Sequence, residues 1–386
     1  MDPEKRGLKH IISKKFNLEN IFIGVIILLV IIVIINIFLT FNLNKDLKKS
    51  AEAVQERLKP AKIELIVIKN SKCNDCFDIS TIISHVKNAN VNITKEVMYE
   101  FDSKEGKEII SKYKIEKVPT VVVTGEIDKF NIQGLERKQN ILLLTKVDPP
   151  YTNPATGKIE GRVILYHLKD SECGKCNDLT PLINQIKGTG VKIYEEKIIE
   201  PSSEEGEGLI KKYNIGFAPT IILSKEASAY DIIQQAWPQI GSKETDGSYV
   251  LRLVNPPFIN LTTNKLMGLV NIVYLIDKGC SECYDVNQHK EILTNQQSFA
   301  VQLDKEETYD INDAKGKELI AKYNITKVPT IILSEEINVY PSSQVLKQFF
   351  SVEKDGSYVF RTAQAVGTYK DLTTNQIVEI QQSQEQ

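Results

Sequence analysis

The stretch NSKCNDCFD (residues 70–78) places two cysteines three positions apart, and the pattern returns as DSECGKCND (170–178) and DKGCSECYD (277–285). These three pairs contain all six cysteines of the 386-residue chain. A random scatter of six cysteines would almost never fall wholly into C-x-x-C pairs, so each pair is a selected unit. Such a pair is typical of a redox-active dithiol or of half a zinc site.

Each pair occupies the same place in a repeat of roughly 100 to 110 residues. An apolar run precedes it and predicts a buried strand: KIELIVI (62–68), RVILYHL (162–168) and LVNIVYLI (269–276). A segment with helical spacing follows the pair, as with Ile79, Ile82, Ile83 and Val86 in the first copy. A second strand is then predicted in VNITKEVMY (91–99), VKIYEEKII (191–199) and SFAVQLD (298–304).

The most similar stretch of the repeats is GKEIISKYKIEKVPTVVV (106–123), which returns as GEGLIKKYNIGFAPTIIL (206–223) and GKELIAKYNITKVPTIIL (316–333). It predicts a short helix, a loop, a proline and a third strand. Each repeat then ends in a helix, an extra strand and a connection rich in Pro, Asn and Gly. Strands that alternate with helices imply crossover connections and a largely parallel or mixed sheet with helices on its faces.

Ahead of the repeats, IFIGVIILLVIIVIINIFLTF (21–41) carries no charge and is long enough to cross a bilayer as a helix. It exceeds the roughly 7 to 15 apolar residues of a signal peptide, and no A-x-A-like site follows, so we expect an uncleaved anchor. Five Lys/Arg in residues 1–20 balance five in residues 42–61, so the charge count does not orient it. A large part behind one N-terminal anchor usually lies outside the cytoplasm. The sequence therefore predicts a single-pass cell-membrane protein with extracytoplasmic domains.

Composition indicates a globular protein, with 42% hydrophobic and 25% charged residues. Lys+Arg 48 against Asp+Glu 50 gives no basic field, so nucleic acid is not an expected partner. The expected organisation is an N-terminal segment (1–20), the membrane helix (21–41), a helical spacer (42–60), three domains (61–158, 159–268 and 269–380) and a disordered tail (381–386).

Each repeat has a strand, then a C-x-x-C pair that opens a helix, then V/A-P-T at the head of another strand. The proline lies 46 to 49 residues after the first cysteine. This order and spacing resemble the thioredoxin-like superfamily. The pattern occurs three times, in a plan similar to that of multidomain protein disulfide isomerases. The resemblance implies an α/β fold of three tandem domains, each with a central mixed sheet flanked by helices. It implies a thiol-disulfide oxidoreductase or isomerase that acts on protein thiols and disulfides, works with an upstream redox partner protein and needs no cofactor.

In this reading the first cysteine of each pair (Cys73, Cys173, Cys280) is the nucleophile, and a helix N-terminus would stabilise its thiolate. The second (Cys76, Cys176, Cys283), one turn along and more buried, resolves the mixed disulfide. In the family the proline is cis, and the residue before it offers backbone hydrogen bonds to an extended substrate peptide. These positions are Val118-Pro119, Ala218-Pro219 and Val328-Pro329.

The chain departs from the family in two respects. No tryptophan precedes any pair, and the buried acid that thioredoxin carries six residues before its first cysteine is replaced by Val67, His167 and Tyr274. His167 is a candidate proton shuttle for the second pair, or else a hydrogen-bonded histidine of the strand. The residues between the cysteines also differ, and Lys175 is expected to favour the thiolate more than Asp75 does. We therefore expect the first pair to be slower than the second.

Two other functions stay open on the sequence. A metal site would need two ligands beyond each C-x-x-C, and the four histidines (His10, His85, His167, His289) follow no repeated offset, so no metal ligands are predicted. The second alternative is a non-catalytic scaffold or chaperone arm made of three tandem domains.

Overall fold

The structure, a computed structural model, describes residues 18–380. Most of the predicted N-terminal segment and the predicted disordered tail (381–386) lie outside the described residues. The first element is a helix of 41 residues, α1 (Leu18–Leu58), which continues without a break from the predicted membrane span into the predicted spacer. Within the described part of the chain, one helix is long and apolar enough to cross a membrane by length and composition, Phe22–Glu56.

The described part of the chain divides into two compact units. One contains α1 and the chain that follows it up to Lys69, together with Asp78–Ile109 and Thr120–Lys146, and the other contains the remaining described residues. The first unit holds one five-stranded sheet, and the second holds two more sheets with the same strand order. The boundaries of the three predicted domains stay a prediction, whereas the mixed α/β fold class is confirmed.

The first sheet has the order β2-β1-β3-β5-β4, with β1 parallel to β2 and antiparallel to β3. Alternate residues Ile63, Leu65 and Val67 of β1 are at most 2% exposed. The elements of this repeat are β1 (Ala61–Lys69), α2 (Ser80–Asn88), β2 (Val91–Glu100), α3 (Lys104–Tyr113), β3 (Thr120–Gly125), β4 (Glu136–Lys138), β5 (Ile141–Leu143), β6 (Tyr151–Thr152) and β7 (Ile159–Glu160).

The second repeat shows why the sheet has helices on both faces. Its elements are β8 (Val163–Leu168), α4 (Thr180–Gly188), β9 (Ile193–Ile199), α5 (Glu204–Tyr213), β10 (Phe217–Ala218), β11 (Thr220–Leu223), α6 (Asp231–Ala236), β12 (Gly241–Lys243), β13 (Tyr249–Leu251), β14 (Phe258–Asn260) and β15 (Lys265–Met267). Leu165 and Ile221 pack with Ile183 of α4 on one face, while Leu168 and Ile222 pack with α5 on the other. Apolar residues on both sides of β8 and β11 therefore create two core layers.

The third repeat has the same sheet order, β17-β16-β19-β21-β20. Its elements are β16 (Leu269–Ile276), α7 (Gln288–Thr294), β17 (Gln302–Asp310), α8 (Ala314–Tyr323), β18 (Lys327–Val328), β19 (Thr330–Leu333), α9 (Ser343–Leu346), β20 (Phe350–Val352), β21 (Tyr358–Phe360), β22 (Tyr369–Asp371) and β23 (Gln376–Val378). The predicted second strand, 298–304, was wrong for most of its length. Because β17 lies at the sheet edge and exposes most of its residues, its charged sequence shows no apolar pattern.

The connection that ends each repeat is a β-hairpin, a feature that the sequence analysis missed. An Asn or Asp begins each turn and accepts backbone N–H groups two and three residues on: Asn153, Asn260 and Asp371. Four residues after each of them stands a residue with positive φ, where Gly and Asn are favoured: Gly157, Asn264 and Asn375. This repeated turn signature was present in the sequence.

Three equivalent glycines allow the second helix of each repeat to begin close to the end of the preceding strand. A Cβ at Gly106, Gly206 or Gly316 would lie 2.0 to 2.1 Å from the carbonyl oxygen of Glu100, Glu200 or Asp310. This approach explains why glycine stands at the start of the most similar stretch of the three repeats.

We predict that Gly206→Ala destabilises the second repeat by about 1 to 3 kcal/mol, because the backbone at Glu200 must move to admit the methyl group. Gly208→Ala, in the same helix with open space around it, is the matched control and should stabilise by up to about 1 kcal/mol. Trp237 is the only tryptophan and is 2% exposed in this repeat, so its fluorescence during urea unfolding measures both effects. Equal effects of the two substitutions would contradict the steric argument.

Candidate active sites

Each C-x-x-C pair forms a disulfide in the turn that follows the first strand of its repeat: Cys73–Cys76, Cys173–Cys176 and Cys280–Cys283. The expectation that the pair opens a helix is wrong, since α2, α4 and α7 begin four or five residues after the second cysteine. The residue after that cysteine donates its N–H to the terminal hairpin segment instead. These bonds join Phe77 to Pro150 (2.9 Å), Asn177 to Pro257 (2.7 Å) and Tyr284 to Thr368 (2.8 Å).

The aspartate two residues after each second cysteine organises the delayed helix start. Asp78 accepts the backbone N–H and the hydroxyl of Ser80, and Asp178 does the same with Thr180. These hydrogen bonds lower the pKa of both carboxyls. Asp285 accepts the backbone N–H of Asn287 in the same way. The aspartates therefore support the turn before the helix, where a negative charge is favourable.

The peptide bonds Val118–Pro119, Ala218–Pro219 and Val328–Pro329 are all cis. Pro219 lines the same cavity as Cys173 and Cys176. In the third repeat, Cys283 Sγ lies 4.0 Å from the carbonyl oxygen of Val328. Two further cis bonds, Pro149–Pro150 and Pro256–Pro257, begin the terminal hairpins of the first two repeats.

The backbone before each cis-proline is already hydrogen-bonded to the terminal hairpin. Val118 donates to Thr152 (2.9 Å) and accepts from it (2.7 Å). In the other repeats Ala218 stands opposite Ile259, and Val328 opposite Lys370. Two residues further along each ladder, Leu261 donates its N–H to Gly216 and Leu372 donates to Thr326. Hydrogen-bonded pairs recur at every second residue of an antiparallel ladder, so Ala218–Ile259 and Val328–Lys370 are hydrogen-bonded pairs too. The free backbone expected for a substrate peptide is therefore occupied by the chain itself.

The second cysteine was expected to be the more buried, and this is wrong for the first pair. Cys73 is 9% exposed, whereas Cys76 is half-buried. Both cysteines of the other two pairs are half-buried. Arg162 covers the first pair, with Nη2 3.9 Å from Cys73 Sγ and Nε 3.0 Å from Asp75 Oδ2.

This arrangement also changes the electrostatics predicted from the residues between the cysteines. Arg162 lowers the pKa of Asp75 chiefly by hydrogen bonding, so the Asp75 charge is partnered. Lys175, expected to favour the thiolate of the second pair, forms an ion pair with Asp304 at 2.5 Å. The sequence did not signal either partner, because each is distant along the chain and neither type of residue recurs at its position in the other repeats.

His167 occupies the position of thioredoxin's buried acid in the second repeat. It is 4% exposed and, with Cys173 and Cys176, lines a cavity of about 170 Å³. Burial lowers its pKa, with a smaller contribution from Lys169, so the neutral imidazole is favoured. At the same positions in the other repeats, Val67 pairs with β3, and Tyr274 donates to Glu306 (3.0 Å).

The third site has buried polar groups that the sequence analysis did not identify. Tyr284 Oη lies 2.7 Å from the carbonyl oxygen of Pro329 and 3.0 Å from His289 Nε2. Because the tyrosine has one proton to donate to Pro329, it accepts from Nε2–H of His289. Lys370, on the terminal hairpin, pairs with the buried Asp277 at 2.6 Å.

No protein-family model matches the chain, and no curated protein sequence matches it. Among solved structures, it is similar to the NTD_N/C domain of alkylhydroperoxide reductase AhpF from Enterococcus faecalis, with 12% identity over 75% of this chain and 89% of that one (TM-score 0.14). Human ERp44 form II is 13% identical over 77% and 85% (TM-score 0.14). A protein disulfide oxidoreductase from Aeropyrum pernix is 17% identical over 46% and 81% (TM-score 0.14).

The chain's own architecture contains the features on which the resemblance rests. Three sheets share one strand order, each with a C-x-x-C disulfide after the first strand and a cis-proline before the third long strand. The mixed α/β fold that the resemblance implies is confirmed.

We predict that His289 makes the third repeat less stable in acid. Burial lowers its folded pKa to about 4, against about 6.5 in the unfolded chain. The unfolded state therefore binds a proton first, and stability present above pH 6.5 is lost as the pH falls towards 4, by about 3 kcal/mol at most. Hydrogen exchange of third-repeat peptides measures the loss.

His289→Gln should flatten this pH dependence, since it removes the titrating group. His85→Gln, which changes an exposed histidine of α2, is the control and should leave the third-repeat profile unchanged. A His289→Gln profile as steep as that of the wild-type chain would contradict the assignment.

Proposed function

We propose that this protein is a membrane-anchored thiol-disulfide oxidoreductase that acts on protein thiols and disulfides through its C-x-x-C pairs. The observation that carries the proposal is the threefold placement of a disulfide-forming pair at one end of a sheet in a repeat with a cis-proline. A structural scaffold has no need for all six cysteines to occupy such positions. Arg162 beside Cys73 and His167 beside the second pair add groups that favour thiol chemistry.

The exchange proceeds in two balanced steps. The thiolate of Cys73, Cys173 or Cys280 attacks one sulfur of a substrate disulfide, so a mixed disulfide forms and the other substrate sulfur leaves and takes a proton. The thiolate of Cys76, Cys176 or Cys283 then attacks the first cysteine, closing the protein disulfide and releasing the second substrate thiol. Two electrons and two protons pass to the substrate. The reverse sequence oxidises a substrate dithiol, and a redox partner protein resets the pair.

The predicted substrate-binding positions take a more restricted role in this proposal. Pro119, Pro219 and Pro329 would contact a substrate in this proposal, and Pro219 lines the cavity that contains Cys173 and Cys176. Val118, Ala218 and Val328 can pair with a substrate strand only after the terminal hairpin releases their backbone groups. Substrates that present a disulfide on an exposed loop, without adding a strand, suit the closed arrangement better.

The membrane part of the proposal rests on α1. Residues 21–41 would cross the bilayer once and hold the repeats on the extracytoplasmic side of the cell membrane. The length and apolar composition of Phe22–Glu56 support the crossing.

We expect each pair in the full-length chain, purified in detergent, to behave as a reversible two-electron couple. For such a couple, a tenfold change in the equilibrium constant with glutathione corresponds to about 29.6 mV in reduction potential. Glutathione buffers of graded ratio, followed by alkylation and peptide-resolved mass spectrometry, measure all three pairs at once. Cys76→Ser, Cys176→Ser and Cys283→Ser should each trap a mixed disulfide on the first cysteine of the same pair.

Three other outcomes are informative. The absence of a reversible couple in every pair would overturn the proposal and favour a scaffold or chaperone arm. Stoichiometric metal in protein purified without oxygen would favour a C-x-x-C metal protein. In intact cells, a membrane-impermeant thiol reagent should label the reduced pairs, and protection of all six cysteines until the cells are opened would reverse the orientation.

His167 is the proton acceptor for Cys176 in this proposal. Because it is neutral and shares a cavity with both sulfurs, it can take the Cys176 proton when that thiol becomes the resolving nucleophile. We predict that His167→Gln slows resolution at the second pair by about 100-fold. Stopped-flow measurement of the Cys173 mixed disulfide tests this, with the first and third pairs of the same protein as controls. An unchanged rate would make His167 a structural residue.

A further inference from the structure

Arg162 lies in the segment that leads into the second repeat, yet its guanidinium reaches the first C-x-x-C pair. Nη2 is 3.9 Å from Cys73 Sγ and 2.5 Å from Asp75 Oδ1, while Nε is 3.0 Å from Asp75 Oδ2. The side chain is 27% exposed. The contact with Asp75 is thus bidentate, and one of its two nitrogens also faces the nucleophilic sulfur.

The backbone and the side chain of Arg162 are both held in place. Buried Tyr230 donates to the carbonyl oxygen of Gly161 (2.7 Å) and accepts the N–H of Lys192 (3.0 Å), so it fixes the residue before Arg162. The ring of Tyr194 lies 5.0 Å from the guanidinium carbon, within range of a cation–π contact. The guanidinium is therefore positioned in advance rather than by the chemistry at Cys73.

We propose that Arg162 holds Cys73 as a thiolate when the first pair is reduced, and so sets the reactivity of this pair apart from that of the other two. The inference rests on the proposed function and deepens it at one site. A guanidinium beside a sulfur favours the charged form, and partial burial reduces screening by water. This proposal reverses the sequence-based prediction that the first pair forms thiolate less readily than the second, because Asp75 is bonded to the cation Arg162.

The other charged and titratable groups near Cys73 come from the elements packed around it. Asp75 Oδ1, in the same turn, is 3.6 Å from Cys73 Sγ and opposes the thiolate. Lys192, before β9, lowers the pKa of Asp75, as Arg162 does. Burial raises the pKa of Tyr230, so this phenol adds no charge at neutral pH. Among the residues that the structure describes, Arg162 is thus the cation in contact with Cys73, and Asp75 is the anion that limits its effect.

The second pair offers a natural comparison, because the residue between its cysteines carries the opposite charge and takes its partner from a different position. Lys175 stands where Asp75 stands in the first pair, and its partner Asp304 holds the position of Tyr194 in the next repeat's edge strand. The residue equivalent to Arg162 is Leu269, since each follows the glycine that begins its repeat. Cys173 and Cys280 therefore serve as internal references within one molecule.

The test is the pH dependence of cysteine alkylation in the reduced full-length chain in detergent, with brief exposure to iodoacetamide and peptide-resolved quantification. The pH midpoint reports the thiolate equilibrium, whereas the plateau rate at high pH reports access to the sulfur. Arg162→Met keeps the stem against Tyr194 and removes the charge. We expect its Cys73 midpoint to rise by about one pH unit, a roughly tenfold loss of thiolate at neutral pH.

Two matched variants test whether charge determines the direction in which the Cys73 midpoint moves. Arg162→Lys keeps a cation without the bidentate geometry and should restore most of the shift. Asp75→Asn leaves Arg162 without its carboxylate and should lower the Cys73 midpoint below that of the wild-type chain. The midpoints of Cys173 and Cys280 should stay fixed in all three variants.

An unchanged Cys73 midpoint in Arg162→Met would overturn the inference, and so would a higher midpoint in Asp75→Asn. A change in plateau rate alone would also overturn it, because Arg162 would then act as a cover over Cys73. An equal shift at all three first cysteines would overturn it too, because the cause would then not be the contact of Arg162 with Cys73. The alkylation assay needs no substrate turnover, so a shifted midpoint in a chain without any reversible couple would separate this result from a failure of the proposed function.

Discussion

The hydrogen bonds between the terminal hairpin and the residue before each cis-proline are the constraint on which the sites depend. Val118 exchanges both backbone bonds with Thr152, and the equivalent residues of the other repeats are paired in the same way. The same hairpin segment accepts the N–H that follows the second cysteine. That N–H is therefore not available to begin a helix, which explains why each pair lies in a turn rather than at a helix N-terminus.

This constraint shifts the control of thiolate chemistry from the helix to individual side chains. Without a helix terminus at the sulfur, the local charges differ from one repeat to the next: an arginine with an aspartate at the first pair, a lysine with an aspartate at the second, and the Lys370–Asp277 pair near the third. Three copies of one backbone thus present three electrostatic settings. The common fold supplies the geometry, and the partners supplied by neighbouring segments make the difference.

Much of the fold could be predicted because burial leaves a pattern in the sequence. The first strands and the strands after the prolines are apolar on both faces, and their positions agree with β1, β8, β16, β3, β11 and β19. Edge strand β17 was misplaced because solvent, not a core, covers most of its side chains. The hairpins were missed although Asn153, Asn260 and Asp371 mark their turns, because a turn signature does not say which strand the hairpin will join.

The site was harder to predict than the fold because its contacts join segments that are distant along the chain. The cysteines and prolines were identified from their spacing, and the three prolines are cis in the structure. The contact of Arg162 with Asp75 joins residues 87 positions apart and has no counterpart in the other repeats, so neither periodicity nor repetition reveals it. The prediction that Cys73 is the more exposed cysteine of its pair was wrong because Arg162, from a later segment, covers it.

The position of each hairpin at the end of its repeat also orders events during synthesis. Thr152 leaves the ribosome 76 residues after Cys76, so the first pair emerges and meets its surroundings well before the strand that closes it exists. The same delay recurs for the second and third pairs, each waiting for its own C-terminal segment. A nascent chain therefore displays an open edge beside one pair at a time, in the order in which the repeats are translated, and the finished protein displays none of the three.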